Sequence, residues 1–431
     1  MMKHILLITY FFAPEQTPRA FRWEALVKSL ANRGYKIDIL LPKYKNKKRP
    51  PINNVKYFET KQGVMDNIFY QHVLNSDNHI LNKSNNKVNK KLIKIKKVLK
   101  KICGFFFSKL IWPDGSAIWY FFAKKELRKI IKNNQYDCII SSASPFTSHL
   151  LGYYAKKHLK SRWIAEYGDP FSFNPQSSKS IFNFLNRKIE NNIIQEMDYI
   201  IVPFEGSKEG FLANFPFLKK DKIKIISQIM PSLHSDPGKI KWEDFDKNKI
   251  NIVYAGTFYI PIRSPKILLE TLVKLREKDV ITYRKLRFHI FGIMKEEINK
   301  LFNEYQKLFK ERVIILYGET SRESCAFAYE KAEYLLNIAN ISEYQLPSKL
   351  IEYLSFKKPI ISLENQKSRM LDWPFLIKVD YQVDDLIKFF RKASNGSVKF
   401  SFDNYDDIVR EYDINNITHQ YLDLISYNDK K

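Results

Sequence analysis

The sequence predicts an α/β protein made of two parallel-sheet domains. Three observations lead there. Short β-branched apolar runs alternate with helix-length amphipathic segments along nearly the whole chain. The alternation breaks at a polar stretch containing Pro and Gly, residues 231–248, and then resumes. The chain has 431 residues, 45% of them hydrophobic, enough for two or three domains with cores of their own.

The first half opens with a strand at 4–10. The stretch Met1 to Ala13 has the outline of a signal peptide, but Pro14-Glu15-Gln16 follows with no small-residue cleavage site, so a core strand is the reading. A helix from about Pro18 to Arg33 ends at Gly34 as a C-cap, and a strand at 36–41 follows. Further strands are expected at 137–142, 162–167, 198–203 and 222–227, with helices at about 145–159 and 181–196. Strand–helix–strand order implies a parallel sheet covered on both faces. The second half repeats the pattern with strands at 250–256, 286–291, 312–317, 334–338 and 358–363. Thr320-Ser321-Arg322-Glu323 reads as a capping box, and 403–425 as a last amphipathic segment. The expected domains are therefore 1–230, a linker 231–248, 249–402, and a C-terminal helix within 403–431 packing back on the first domain.

Composition narrows the class. The three cysteines, Cys103, Cys138 and Cys325, are few and odd in number, which suits a reduced, cytoplasmic chain. No Cys/His cluster has metal-ligand spacing, and His4, His149 and His289 lie in or beside apolar runs, as core histidines do. No apolar run is long enough to span a bilayer. The net charge is +26, partly a general lysine richness. Residues 83–101 hold nine lysines and no acid, and Leu92, Ile95, Val98, Leu99 and Ile102 recur at helical spacing before Phe105-Phe106-Phe107 and Trp112. A lysine face beside an aromatic-rich apolar edge is the pattern of an interfacial helix on an anionic membrane.

One stretch carries most of the chemistry: Gln345-Leu346-Pro347-Ser348-Lys349-Leu350-Ile351-Glu352-Tyr353-Leu354-Ser355-Phe356-Lys357-Lys358-Pro359-Ile360-Ile361. It reads as a helix entry, a short helix and a buried strand. Pro347 suits the first helical turn, whose N–H groups attract an anion, and Lys349 adds a full charge there. Glu352 lies one turn on from Ser348, on the same face. Such a helix can hold a nucleotide diphosphate at its mouth and ribose hydroxyls one turn deeper.

This segment resembles the nucleotide-binding helix of retaining glycosyltransferases of family 4, which have the GT-B fold: two Rossmann-like domains with a cleft between them. The family pattern is Glu, seven residues, Glu; Glu352 fits the second, while Tyr344, with Glu343 beside it, stands at the first. The resemblance covers nearly the whole chain. After strand 250–255, Gly256-Thr257 and the helix opening at Arg263, Ser264 and Lys266 match the family's donor-diphosphate loop. Thr257 stands where the family has a first cation, so compensation would fall on Arg263, Lys266 and Lys349. Gly292 and Gly318 end the strands whose following loops pack around the nucleotide base. In the first half the family often has Gly-Gly after strand 1; this chain has none, and Arg19 or Arg22 is the expected substitute. Trp112-Pro113-Asp114, Ser144-Pro145 and Gly168-Asp169-Pro170 look like a branch that builds surface polysaccharides, with Asp169 placed to hold a sugar hydroxyl.

The resemblance implies sugar transfer with retention from a nucleotide sugar, UDP- or GDP-linked, to a saccharide acceptor, lipid-linked at the inner face of the cell membrane, in capsule or O-antigen synthesis. No cofactor is expected, and no Asp-x-Asp metal motif presents itself, so cations of the protein would neutralise the leaving diphosphate. Two alternatives stay open. One is a nucleotide-sugar epimerase of the same fold. The other is a basic nucleic-acid binder, although the aromatics follow core periodicity rather than lining a basic face, so no nucleic acid is expected as a partner.

Overall fold

The computed structural model describes residues 2–15, 17–44, 48–62, 112–174, 182–258, 260, 263–339, 347–365 and 371–426. The chain forms two compact units, Met1–Ser227 together with Ile414–Lys431, and Gln228–Asp413.

The first unit contains β1 (His4–Thr9), α1 (Pro18–Asn32), β2 (Lys36–Pro42), β3 (Val55–Thr60), α2 (Ala117–Asn133), β4 (Cys138–Ala143), α3 (Thr147–His158), β5 (Arg162–Tyr167), α4 (Asn183–Ile194), β6 (Tyr199–Val202), α5 (Glu205–Asn214) and β7 (Ile223–Ile225). Its seven parallel strands run in the order β3-β2-β1-β4-β5-β6-β7. Central strands are buried along their length, as their continuous apolar sequences require. Helix α1 starts on Thr17, whose side chain accepts from Ala20 N, with Pro18 at its first position. It stops at Gly34, where φ is +85° and the Tyr35 N–H reaches back to the Leu30 carbonyl.

The second unit contains β8 (Ile250–Ala255), α6 (Lys266–Lys278), α7 (Val280–Lys285), β9 (Leu286–Phe291), α8 (Glu296–Asn303), α9 (Gln306–Lys310), β10 (Ile314–Gly318), α10 (Arg322–Lys331), β11 (Tyr334–Ile338), α11 (Ser348–Tyr353), β12 (Ile360–Glu364), β13 (Leu376–Asp380), α12 (Val383–Ser394) and α13 (Tyr405–Glu411). Its six parallel strands run β10-β9-β8-β11-β12-β13. Both units thus have the doubly covered parallel sheets expected.

Three details differ from the sequence reading. Residues 231–248 pack within the second unit. Ile240 is buried, Phe245 stacks on His289 at 3.9 Å, and Trp242 meets the edge of Phe327 at 4.8 Å. The polar stretch thus carries three apolar anchors that cover an otherwise open side of the sheet. The expected capping box is shifted by one: Ser321 caps α10 by accepting from Ser324 N, while Thr320 Oγ1 meets Cys325 Sγ. The last amphipathic segment is two helices. After α13 the chain enters α14 (Ile414–Ser426), which belongs to the first unit and lies on α1. There Trp23 and Tyr421 pack edge-on at 6.1 Å, Thr418 Oγ1 donates to Ser29 Oγ at 2.8 Å, and Arg162 donates to the Leu424 carbonyl.

Candidate active site

In a parallel sheet the carboxyl ends of the strands carry the loops that bind ligands. In the second unit three of the expected glycines meet at that edge. Gly256 N donates to Phe291 O at 2.9 Å, and Gly292 N donates to Gly318 O at 2.8 Å. Gly292 has φ +129°, and a Cβ there would overlap the Gly256 carbonyl oxygen. Adjacent strand ends therefore present bare backbone, which lets a ligand approach closely. Thr257 follows directly, its carbonyl accepting from Tyr254 OH at 3.4 Å. Arg263 is half-buried just before α6, and Tyr381 OH pins the turn by donating to Ser264 O at 2.5 Å. Lys266, the first residue of α6, is exposed and faces Glu270 at 3.8 Å.

Helix α11 holds the main polar cluster. Pro347 is its extended N-cap, one position earlier than expected, and Ser348 is exposed at its first position. Leu350, Ile351 and Tyr353 bury the opposite side. The Glu352 side chain is 8% exposed. Its Oε1 accepts from Lys349 Nζ at 2.7 Å and from Tyr329 OH at 3.2 Å, and its Oε2 accepts from Arg322 at 2.8 Å. Burial alone would push this carboxyl up. Lys349 and Arg322 outweigh burial and hold it below the usual carboxylate range. Glu352 is therefore a buried, ionised carboxylate between two cations. Neither Arg322 nor Tyr329 was singled out in the sequence. They lie on α10, and no local spacing links them to α11.

In the first unit the carboxyl edge gathers Arg19, Gly168 and Ser142. The Arg19 guanidinium lies so close over Gly168 that a Cβ would overlap it, and Arg19 Nη1 reaches Ser142 Oγ at 3.5 Å. Asp169 and Ser144 are exposed in the turns after β5 and β4. Arg22 is enclosed instead. Its Nε donates to Glu166 Oε1 and its Nη1 to Ser227 O, each at 2.6 Å. Of the two arginines expected at this edge, Arg22 is thus committed to partners within the first unit. Asp114 is half-buried and accepts from Thr147 N, Thr147 Oγ1 and Ser116 N, each at 2.8 Å, which fixes the start of α3.

Two buried titratable groups, His149 and Glu190, back this edge. Ser141 Oγ accepts the Trp163 indole N–H at 2.8 Å and is hydrogen-bonded to His149 Nδ1, also at 2.8 Å. Burial, with Arg19 adding to it, depresses the His149 pKa to about 3, so the ring is neutral and structural, as expected. His289 is equally depressed, to about 3, between Asn251 and Tyr317. Glu190 on α4, unmarked in the sequence, is fully buried and accepts from Ser172 N at 3.0 Å. Burial pushes its carboxyl up to about 7, against the bonds from Ser172 and Tyr167.

The lysine-rich segment 83–111, Glu343, Tyr344 and Cys103 lie outside the described residues. Cys138 and Cys325 are buried thiols. Among the described residues no helix is long and apolar enough to cross a membrane.

No family model matches the chain, and no curated protein does. Solved structures do match over its full length. Sucrose-phosphate synthase from Thermosynechococcus elongatus superposes with a TM-score of 0.65 at 11% identity, covering 99% of each chain. A lipopolysaccharide outer core galactosyltransferase gives 0.57 at 14%, again covering 99% of each. A putative UDP-N-acetylglucosamine 2-epimerase from Listeria monocytogenes gives 0.56 at 11%, covering 100% of this chain and 98% of the other. The fold is thus the two-sheet GT-B fold of nucleotide-sugar glycosyltransferases.

Proposed function

We propose that the chain is a glycosyltransferase that moves a sugar from a UDP- or GDP-linked donor to a saccharide acceptor with retention. The observation that carries this is Glu352, a buried carboxylate kept ionised by Lys349 and Arg322. An ionised carboxylate is a strong acceptor for paired ribose hydroxyls. The two cations beside it, with Arg263 and Lys266, suit a diphosphate. The bare edge of Gly256, Gly292 and Gly318 suits the close approach of a nucleotide. Charge growing on the departing diphosphate is where Arg263 and Lys349 act as catalytic groups, since only stabilisation greater in the transition state speeds the step. In the first unit Arg19, Ser144, Gly168 and Asp169 form the acceptor side. The acceptor is a lipid-linked saccharide at the inner face of the cell membrane, in surface polysaccharide synthesis; the likeness to a lipopolysaccharide galactosyltransferase supports that setting.

Glu352→Gln is the test. Loss of a charge-assisted acceptor should weaken nucleotide-sugar binding roughly tenfold to a hundredfold in calorimetry. Wild-type affinity in a folded variant would remove this helix from the donor site. A second reading, a nucleotide-sugar epimerase, is favoured by the likeness to the Listeria protein. Turnover of donor to an isomer with no acceptor present would establish it instead.

A further inference from the structure

Helices α2, α3 and α4 lie side by side in one layer on the first sheet. Each leads into a parallel strand, so each runs antiparallel to the strands and starts at their carboxyl edge. That is the edge where Arg19, Gly168 and Asp169 sit. The middle helix, α3, has a buried start held by Asp114. The two flanking helices carry large apolar side chains on their first two turns, in the open. Phe121 is 71% exposed, Phe122 41%, Phe184 78% and Leu185 44%. The segment just before α2 is tied to α4, since Trp112 Nε1 donates to Asn186 Oδ1 at 2.9 Å.

Cations follow the apolar tips on both helices. On α2 these are Lys125, Arg128, Lys129 and Lys132; on α4 they are Arg187 and Lys188. At 1.5 Å per residue, the nearest stand about 3–6 Å behind the apolar side chains along the helix axes. Neither helix has an acid in its first turn. Glu126 pairs with Lys129 at 2.9 Å, and Glu190 is buried. Arg128 and Lys124 lie over the Tyr154 ring at 5.8 and 4.7 Å, extending the basic face onto α3.

Apolar tips with a layer of cations one turn behind match the cross-section of an anionic bilayer, where acyl chains lie a few ångströms beneath charged headgroups. We propose that the first turns of α2 and α4 form a membrane-docking edge for anionic lipid. Phe121, Phe122, Phe184 and Leu185 enter the acyl boundary, and Lys125, Lys129 and Lys188 meet the headgroups. This deepens the membrane part of the function proposed above and uses residues other than the lysine-rich segment 83–101. It also sets the acceptor edge of the first sheet against the leaflet.

Co-sedimentation of the full chain with vesicles tests it, comparing phosphatidylcholine with mixtures containing phosphatidylglycerol. The wild type should bind only the anionic vesicles, and less as salt rises. The double variant Phe121→Ser, Phe184→Ser should bind at least about tenfold more weakly, because both lose apolar area that would be buried in lipid. Lys125→Gln with Lys188→Gln should weaken binding and flatten its salt dependence. Nucleotide-sugar affinity, measured without vesicles, should be unchanged in every variant, so failure of the docking edge and failure of the donor site are read separately. Wild-type vesicle binding by the Phe variant would overturn the proposal. If changing Lys94, Lys97, Lys100 and Lys101 to Gln then abolished attachment, docking would belong to that segment. Absence of any vesicle binding by the wild type would overturn it equally and leave this edge to another partner.

Discussion

Glu190 shows what a single buried group does to the molecule. Its carboxyl is pushed up to about 7 by burial, from an ordinary value near 4.5. The folded state therefore holds the proton more tightly than the unfolded chain. The stability this contributes is complete below about pH 4.5 and is lost as pH rises through about 7, on the order of 3 kcal/mol in all. Glu190→Gln cannot ionise, so its stability should fall less than the wild type's between pH 5 and pH 8. Thermal melts of both proteins across that range check it; parallel curves would mean the carboxyl titrates normally. The same group holds Ser172 N, a few residues beyond Asp169, so ionisation also reaches the loop of the proposed acceptor side. Glu352 is the opposite case. It is almost as buried, yet two cations keep it charged. Sequence alone cannot separate these two glutamates, because the difference lies in what distant elements bring beside them.

At the scale of elements, the meeting of three strand ends is the most demanding feature. Gly292→Ala would put a Cβ against the Gly256 carbonyl at a φ that side chains rarely adopt. Backbone strain of this kind costs roughly 1–3 kcal/mol before any overlap is counted. The melting transition should fall by roughly 5 °C or more, and donor affinity should fall with it. Scanning fluorimetry decides; an unchanged melting point would show that the edge yields easily. The glycines were legible as strand ends, because a turn after an apolar run is a local signal. Their meeting was not, because strand order is set by packing. Central strands and the helices after β1 and β4 were legible for the same local reason. Two of the four edge strands were missed: β3 (VKYFET) and β13 (LIKVD) are partly exposed, and charge interrupts their apolar pattern. The stretch 231–248 looked like a spacer because its three apolar anchors, Ile240, Trp242 and Phe245, stand among polar residues and follow neither strand nor helix periodicity. Arg322 was missed as a partner of Glu352 because thirty residues separate them.

At the scale of the whole molecule, the first unit is built from both ends of the chain. Arg22 binds α1 to Glu166 on β5 and to the Ser227 carbonyl, with Tyr421 of α14 at 3.5 Å. Helix α14 covers α1 through Tyr421, Thr418 and Asn415. A chain truncated after Asp413 should therefore lose protection in α1 and β5 while the second unit keeps its own. Hydrogen exchange followed by mass spectrometry resolves the two. Equal protection in the truncated and full chains would show that α14 is dispensable.

The return of α14 also sets an order of assembly. Synthesis runs from the amino terminus, so everything from Gln228 to Asp413 leaves the ribosome before the helix that closes the first unit. At 5–20 residues per second the interval is on the order of ten to forty seconds. During that time the second unit gains its strands one after another, while the older first unit waits with the α1 surface around Trp23 uncovered. In a nascent chain of this design the unit begun first is the last to be completed, because its closing helix is made after the whole of the second unit.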